Sequence, residues 1–145
     1  MRVAAFLRGA TMAACGVAGA AFALKILPTS PVTAQDGIYA DAQADAGEAL
    51  YEEQCTVCHG ELRAIVPEMA ALLGDHTFRN NWRGRSLGEM FEYIQETMPQ
   101  DAPGTLTAEQ SAAIVAAILR GNRVAAGETP LSDDPAALHE IPFDP

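Results

Sequence analysis

Lysine is nearly missing from this sequence of 145 residues: Lys25 is the only one. From residue 35 onward the basic residues are six arginines (Arg63, Arg79, Arg83, Arg85, Arg120 and Arg123). They face all 19 of the chain's acidic residues, a net charge of −13 for that stretch. Such a surface repels a phosphate backbone, which excludes nucleic acid as a partner. A partner steered by long-range fields must be basic, at least locally. The alternative reading of the acidity is plain solubility. Long apolar runs are also lacking. The longest uncharged N-terminal stretch, Gly9 to Leu24, falls short of the roughly 20 residues that a spanning helix prefers. No segment reads convincingly as a strand, and no internal repeat is visible.

What that first stretch does contain is an export layout. Arg2 and Arg8 form a basic beginning, and Gly9–Leu24 is rich in Ala and Gly. Pro28 and Pro31 then precede a small-residue site, Val32-Thr33-Ala34. Cleavage is expected after Ala34, with Ala21-Phe22-Ala23 as a second site and an uncleaved anchor as the alternative. Met12-Ala13-Ala14-Cys15 is a weaker, lipoprotein-like site, because few apolar residues precede it. The organisation expected is an export segment over 1–34, a linker over 35–43, one folded domain over 44–121 and an irregular tail over 122–145.

Residues 55–59 read Cys55-Thr56-Val57-Cys58-His59. The C-x-x-C-H spacing is that of covalent haem attachment. Cysteines three apart on a helix face one side, so their thiols can add to the two vinyl groups of one haem. His59 follows directly and is carried under the iron as proximal ligand. Two other chemistries use part of this pattern. A dithiol of the thioredoxin kind wants a surrounding βαβ unit, which is absent. A zinc site needs four ligands, and beyond these three only His76 and His139 remain, with no paired spacing. The cofactor expected is one haem c, attached through Cys55 and Cys58. That leaves no cysteine after residue 34 for a structural disulfide.

Four helices are expected. The first covers about Ala44–Glu53 and delivers the motif. A short one covers Pro67–Leu73, with proline at its first position. A third begins at Ser86, where Ser86-x-x-Glu89 is a capping box and Leu87, Met90, Phe91 and Ile94 share a face. A fourth begins at Thr107-x-x-Gln110 and carries Ile114, Val115, Ile118 and Leu119 to Gly121. Among the methionines, Met69 and Met90 lie on apolar helix faces and read as core fillers. Met98 instead follows the third helix in a loop stiffened by Pro99 and Pro103. It is the expected sixth ligand to iron, because a soft thioether held there favours ferrous iron and raises the potential. His76 is its rival, and His139 is weaker. Trp82 lies among Arg79, Arg83 and Arg85. An indole N–H and a guanidinium suit a haem propionate. The alternative is a solvated loop around one packed aromatic ring.

Over Ala44–Gly121 the sequence resembles the class I c-type cytochromes. The resemblance rests on Cys55–His59 and on Thr97-Met98-Pro99 between a capped helix and a terminal amphipathic one. From Trp82 to Leu119 it is similar to small cytochromes that serve periplasmic dehydrogenases, including quinoprotein alcohol dehydrogenases. This resemblance implies an all-α fold, a small helical domain around one covalent haem. It implies His59 and Met98 as axial ligands and single-electron transfer without substrate chemistry. The implied partners are redox proteins of the periplasm: a dehydrogenase, an oxidase or another cytochrome. A membrane is involved only if the N-terminal segment stays uncleaved. The lysine ring that some cytochromes use for docking is missing here. The resemblance further implies that the Pro67 carbonyl accepts the His59 ring N–H. It also implies that Gly47 and Tyr51 serve the crossing of the first and last helices. Two other functions stay open. One is a sensor or scavenger whose sixth site takes a small ligand; the other is an obligate haem subunit of a dehydrogenase complex.

Overall fold

The computed structural model describes residues 32–63 and 72–145. Among the described residues there are six α-helices and no strand: α1 Asp41–Gln54, α2 Thr56–His59, α3 His76–Trp82, α4 Leu87–Thr97, α5 Ala108–Gly121 and α6 Pro135–His139. The all-α class read from the sequence is the class observed. None of these helices is long and apolar enough to cross a membrane.

The frame is the crossing of α1 with α5. The capping box at the start of α5 forms as its residues dictate. Thr107 Oγ1 accepts the Gln110 N–H at 3.2 Å, and the Gln110 side chain accepts the Thr107 N–H at 2.9 Å. Every residue from Ser111 to Leu119 is buried, so α5 is covered on all sides, as an apolar helix must be. The two backbones touch at Gly47. A Cβ there would lie 1.8 Å from the Ala113 carbonyl oxygen, so only glycine allows the approach. Arg120, with a side chain 17% exposed, ties the pair together from α5. It bonds Asp45 at 2.5 Å and also holds Glu48.

α4 has its own box. Ser86 Oγ accepts the Glu89 N–H at 3.1 Å, and Glu89 returns to the Ser86 N–H at 3.0 Å. Leu87, Met90, Phe91 and Ile94 are buried, the face expected from their spacing.

Two segments depart from expectation. Residues 35–43 do not behave as a linker. Ala34–Asp36 form a 3₁₀ turn capped by Thr33, and Ala34 is fully buried. Tyr39 is buried and donates to the Val124 carbonyl at 2.7 Å, while Gly127 N–H donates to the Tyr39 carbonyl at 2.7 Å. α1 then starts at Asp41, three residues before the position expected. The small and polar composition of the segment hid this, because the apolar partners lie in the tail. The tail itself is not irregular throughout. Asp134 caps α6 by accepting the Ala136 N–H at 3.0 Å, and Leu131, Leu138 and Phe143 are buried. Backbone bonds from Gly84 N to Phe143 O, Phe143 N to Arg85 O and Leu87 N to Ile141 O strap the tail along the entry to α4. Its three apolar anchors are too far apart to show a period. Residues 1–31 and 64–71 lie outside the described residues. With them go the export segment up to residue 31, most of the helix expected over Pro67–Leu73, and Met69.

Candidate haem site

α1 hands the chain directly to the Cys55–His59 turn. Cys55 closes α1 by donating its N–H to the Tyr51 carbonyl at 2.9 Å. The Cys55 carbonyl then accepts from both Cys58 N (3.1 Å) and His59 N (2.9 Å), which winds the motif into a single turn. Gly60 ends it at φ 64° and ψ −176°, a conformation essentially reserved for glycine, and its N–H returns to the Thr56 carbonyl at 2.9 Å.

The two thiols are unpaired and unlike. Cys58 is exposed, whereas Cys55 is half-buried against the core. Burial, and then the nearby Cys58, push the Cys55 thiol up to about 11. It is therefore protonated at neutral pH and a poor spontaneous nucleophile. Val57, between them, is 88% exposed. His59 is half-buried at the end of the turn.

The candidate sixth ligand enters from α4. Met98 caps that helix in extended backbone, with its N–H on the Ile94 carbonyl at 3.0 Å, and its half-buried side chain packs on the core. Met90 is 1% exposed, a core filler as expected. The rival imidazoles are placed elsewhere. His139 is engaged by α4, with Nδ1 at 2.9 Å from Ser86 Oγ and Nε2 at 3.2 Å from Glu92. His76 is exposed at the first position of α3. Pro67, the expected acceptor for the His59 ring, lies outside the described residues.

The arginine cluster around Trp82 finds protein partners. Arg79 donates to the Gly74 carbonyl at 2.8 Å and reaches Asn122 at 3.4 Å. Arg83 pairs with Asp144 of the tail at 2.9 Å, both exposed. Arg85 pairs with Glu89 at 3.4 Å and lies 4.0 Å over the Trp82 ring. Trp82 is half-buried and part of an aromatic group, with centroids 5.9 Å from Phe78 to Trp82 and 6.4 Å from Trp82 to Tyr93.

Cys55, Trp82 and Met98 are each half-buried on one continuous core. Two free thiols one turn apart, an imidazole next to them and a thioether on the same core make a donor set that fits haem c. Cys55 and Cys58 would hold the ring, and His59 and Met98 would take the iron. One contributor was missed by sequence reasoning, which cast Tyr51 as packing alone. Its hydroxyl donates to the Gly60 carbonyl at 2.9 Å, in a buried setting. No spacing signal announces such a bond, because it depends on where the turn after His59 ends.

Residues 42–116 match the protein family described as cytochrome c oxidase, cbb3-type, subunit III. Among solved structures, a chain of the sulfane dehydrogenase SoxCD from Paracoccus pantotrophus is similar at 18% identity with a TM-score of 0.46. The likeness covers 80% of this chain and 61% of that one. A comparison with curated proteins finds no match.

Proposed function

The chain belongs to the family of cytochrome c oxidase, cbb3-type, subunit III, and on that premise we propose that it carries one covalent haem with His59 and Met98 as axial ligands. Membership makes it a c-type cytochrome, an electron carrier that performs no substrate chemistry itself. The observation that carries the finer reading is the single turn Cys55–His59. There two unpaired thiols and an imidazole stand at the exit of the helix that crosses α5.

When bound, haem supplies a one-electron ferric–ferrous couple. The chain's residues hold and tune it. Cys55 and Cys58 fix the ring through thioethers. His59 binds iron through one ring nitrogen, and Met98 offers a soft sulfur that favours the ferrous state. The apolar core behind Cys55, Trp82 and Met98 keeps water from one side of the site.

The attachment chemistry and the N-terminal layout support export to the periplasm. Thr33 and Ala34 belong to the folded unit. A cut after Ala34 would remove the cap on the 3₁₀ turn, so processing at Ala21–Ala23, or a retained anchor, suits the fold better. The net charge supports a basic or locally basic redox partner, such as a periplasmic dehydrogenase, an oxidase or another cytochrome. The family's description names an oxidase subunit. It favours, as a second reading, permanent assembly with a larger redox complex.

An equilibrium redox titration followed by visible spectra tests the proposal. One reversible one-electron transition is expected, with haem c bands that shift between the two states. Two resolved transitions, or no reversible change, would rule out a mono-haem carrier.

A further inference from the structure

Tyr51 contacts both ends of the haem-binding turn. Its carbonyl accepts the Cys55 N–H at 2.9 Å, where the turn begins. Its hydroxyl donates to the Gly60 carbonyl at 2.9 Å, where the turn ends. The residue is 1% exposed, and Gly60 is also buried. A buried carbonyl demands a donor, and this phenol is the donor observed. The contact lies one peptide away from His59, on the residue whose positive φ of 64° turns the chain out of the helix.

We infer that the Tyr51 hydroxyl is a positioning group for His59: it clamps the Gly60 peptide and so fixes the backbone that aims the imidazole. The inference rests on the reading of His59 as an iron ligand. The aromatic ring alone accounts for its place in the buried core, and phenylalanine would supply that equally. The hydroxyl adds a restraint on the segment Cys55–Gly60 that packing does not provide. Burial, with Cys55 adding to it, holds the phenol's pKa above its ordinary range. The hydroxyl therefore stays protonated, and a donor, at neutral pH.

Tyr39 offers a matched control. It is also 1% exposed on the N-terminal side of the frame, and its hydroxyl also donates to a backbone carbonyl, that of Val124, at 2.7 Å. Val124 follows α5 and is remote in sequence from the motif. Replacing either tyrosine by phenylalanine removes one buried hydrogen bond and keeps the ring. Both variants should therefore lose thermal stability to a similar extent. Only Tyr51→Phe should disturb the ligand.

The test uses holo-protein of wild type, Tyr51→Phe and Tyr39→Phe. The pattern of ferric haem-methyl proton shifts, which reports the orientation of the axial imidazole, and the reduction potential are measured for each. Tyr51→Phe is expected to rearrange the methyl-shift pattern and displace the potential, while Tyr39→Phe leaves both as in wild type. Wild-type shifts and potential in Tyr51→Phe would overturn the inference and reduce Tyr51 to a packing residue. Equal displacement in both variants would overturn it too, by tracing the effect to general loosening. If Tyr51→Phe does not accumulate, incorporation of 3-fluorotyrosine at position 51 keeps the packing and strengthens the donor. An unchanged methyl pattern then contradicts the inference. Failure of the underlying haem reading is told apart from these outcomes, because wild-type protein would then carry no covalent haem at all.

Discussion

Met90 and Met98 lie on the same helix system but in different surroundings, and the difference fits the roles proposed for them. Met90 is enclosed by core, while Met98 ends α4 in extended backbone with its side chain half-covered. Met98→Ala is expected to abolish the weak sulfur-to-iron band at the red end of the ferric spectrum and to lower the potential. Met90→Leu should keep that band and cost less than about 1.5 kcal/mol, as near-isosteric core exchanges do. Persistence of the band in Met98→Ala would remove Met98 as a ligand. The two thiols should also separate chemically in haem-free protein. Exposed Cys58 is expected to alkylate first. Cys55, whose thiol is pushed up to about 11, should react slowly at neutral pH and ever faster as pH rises toward that value. Peptide mapping after timed iodoacetamide treatment reads both rates, and equal rates at neutral pH would contradict the buried placement of Cys55. At this scale the sequence was most informative where a residue type has one dominant use, as in Cys55, Cys58 and His59. It was least informative where a role depends on a distant carbonyl, as with the Tyr51 hydroxyl.

Helices α4 and α5 begin where their capping boxes say they must, and both boxes are complete in the structure. Ser86→Ala should lower stability by about 1 kcal/mol, read as a fall in melting temperature. The reciprocal partner makes this cap pH-dependent. The bond from the Ser86 N–H holds the Glu89 carboxyl below its usual range; desolvation opposes it, and Arg85 and then His139 add to the lowering. A lowered carboxylate pKa contributes stability that is present above the ordinary glutamate value and is lost as pH falls through the folded one. The stability gap between wild type and Glu89→Gln should therefore be full near neutrality and close in acid. A gap that widens on acidification would contradict this assignment. Gly47 sets the other element-scale constraint. Gly47→Ala drives a Cβ into the Ala113 carbonyl, so its cost should reach the upper end of the about 1–3 kcal/mol typical of overpacking. Local signals, caps and the 3.6-residue period, made these helices legible. The tail escaped because its anchors Leu131, Leu138 and Phe143 pack on remote elements and follow no period. The same is true of Tyr39, whose partner Val124 lies across the domain.

For the whole molecule, charge and chain organisation give the expectations. Nineteen acidic residues against six arginines after residue 34 should make electron exchange with a basic partner slow as salt rises, since screening acts over about 8–10 Å at physiological ionic strength. Arg83→Gln separates the two readings of the segment around Trp82: a displaced potential supports a propionate partner, and an unchanged one the solvated loop. The exposed pair of Arg83 with Asp144 contributes at most about 1 kcal/mol, and its loss should loosen the end of the tail. The burial of Ala34 also bears on the proposed export: if the chain is processed, intact mass of the mature protein should place its first residue before Thr33. The central claim is that Cys55 and Cys58 bind haem covalently, and acid–acetone extraction tests it most directly. Haem is expected to stay with the wild-type chain, and to be absent from that chain after extraction when both cysteines are replaced by alanine. Clean removal of haem from the wild-type protein would contradict the account.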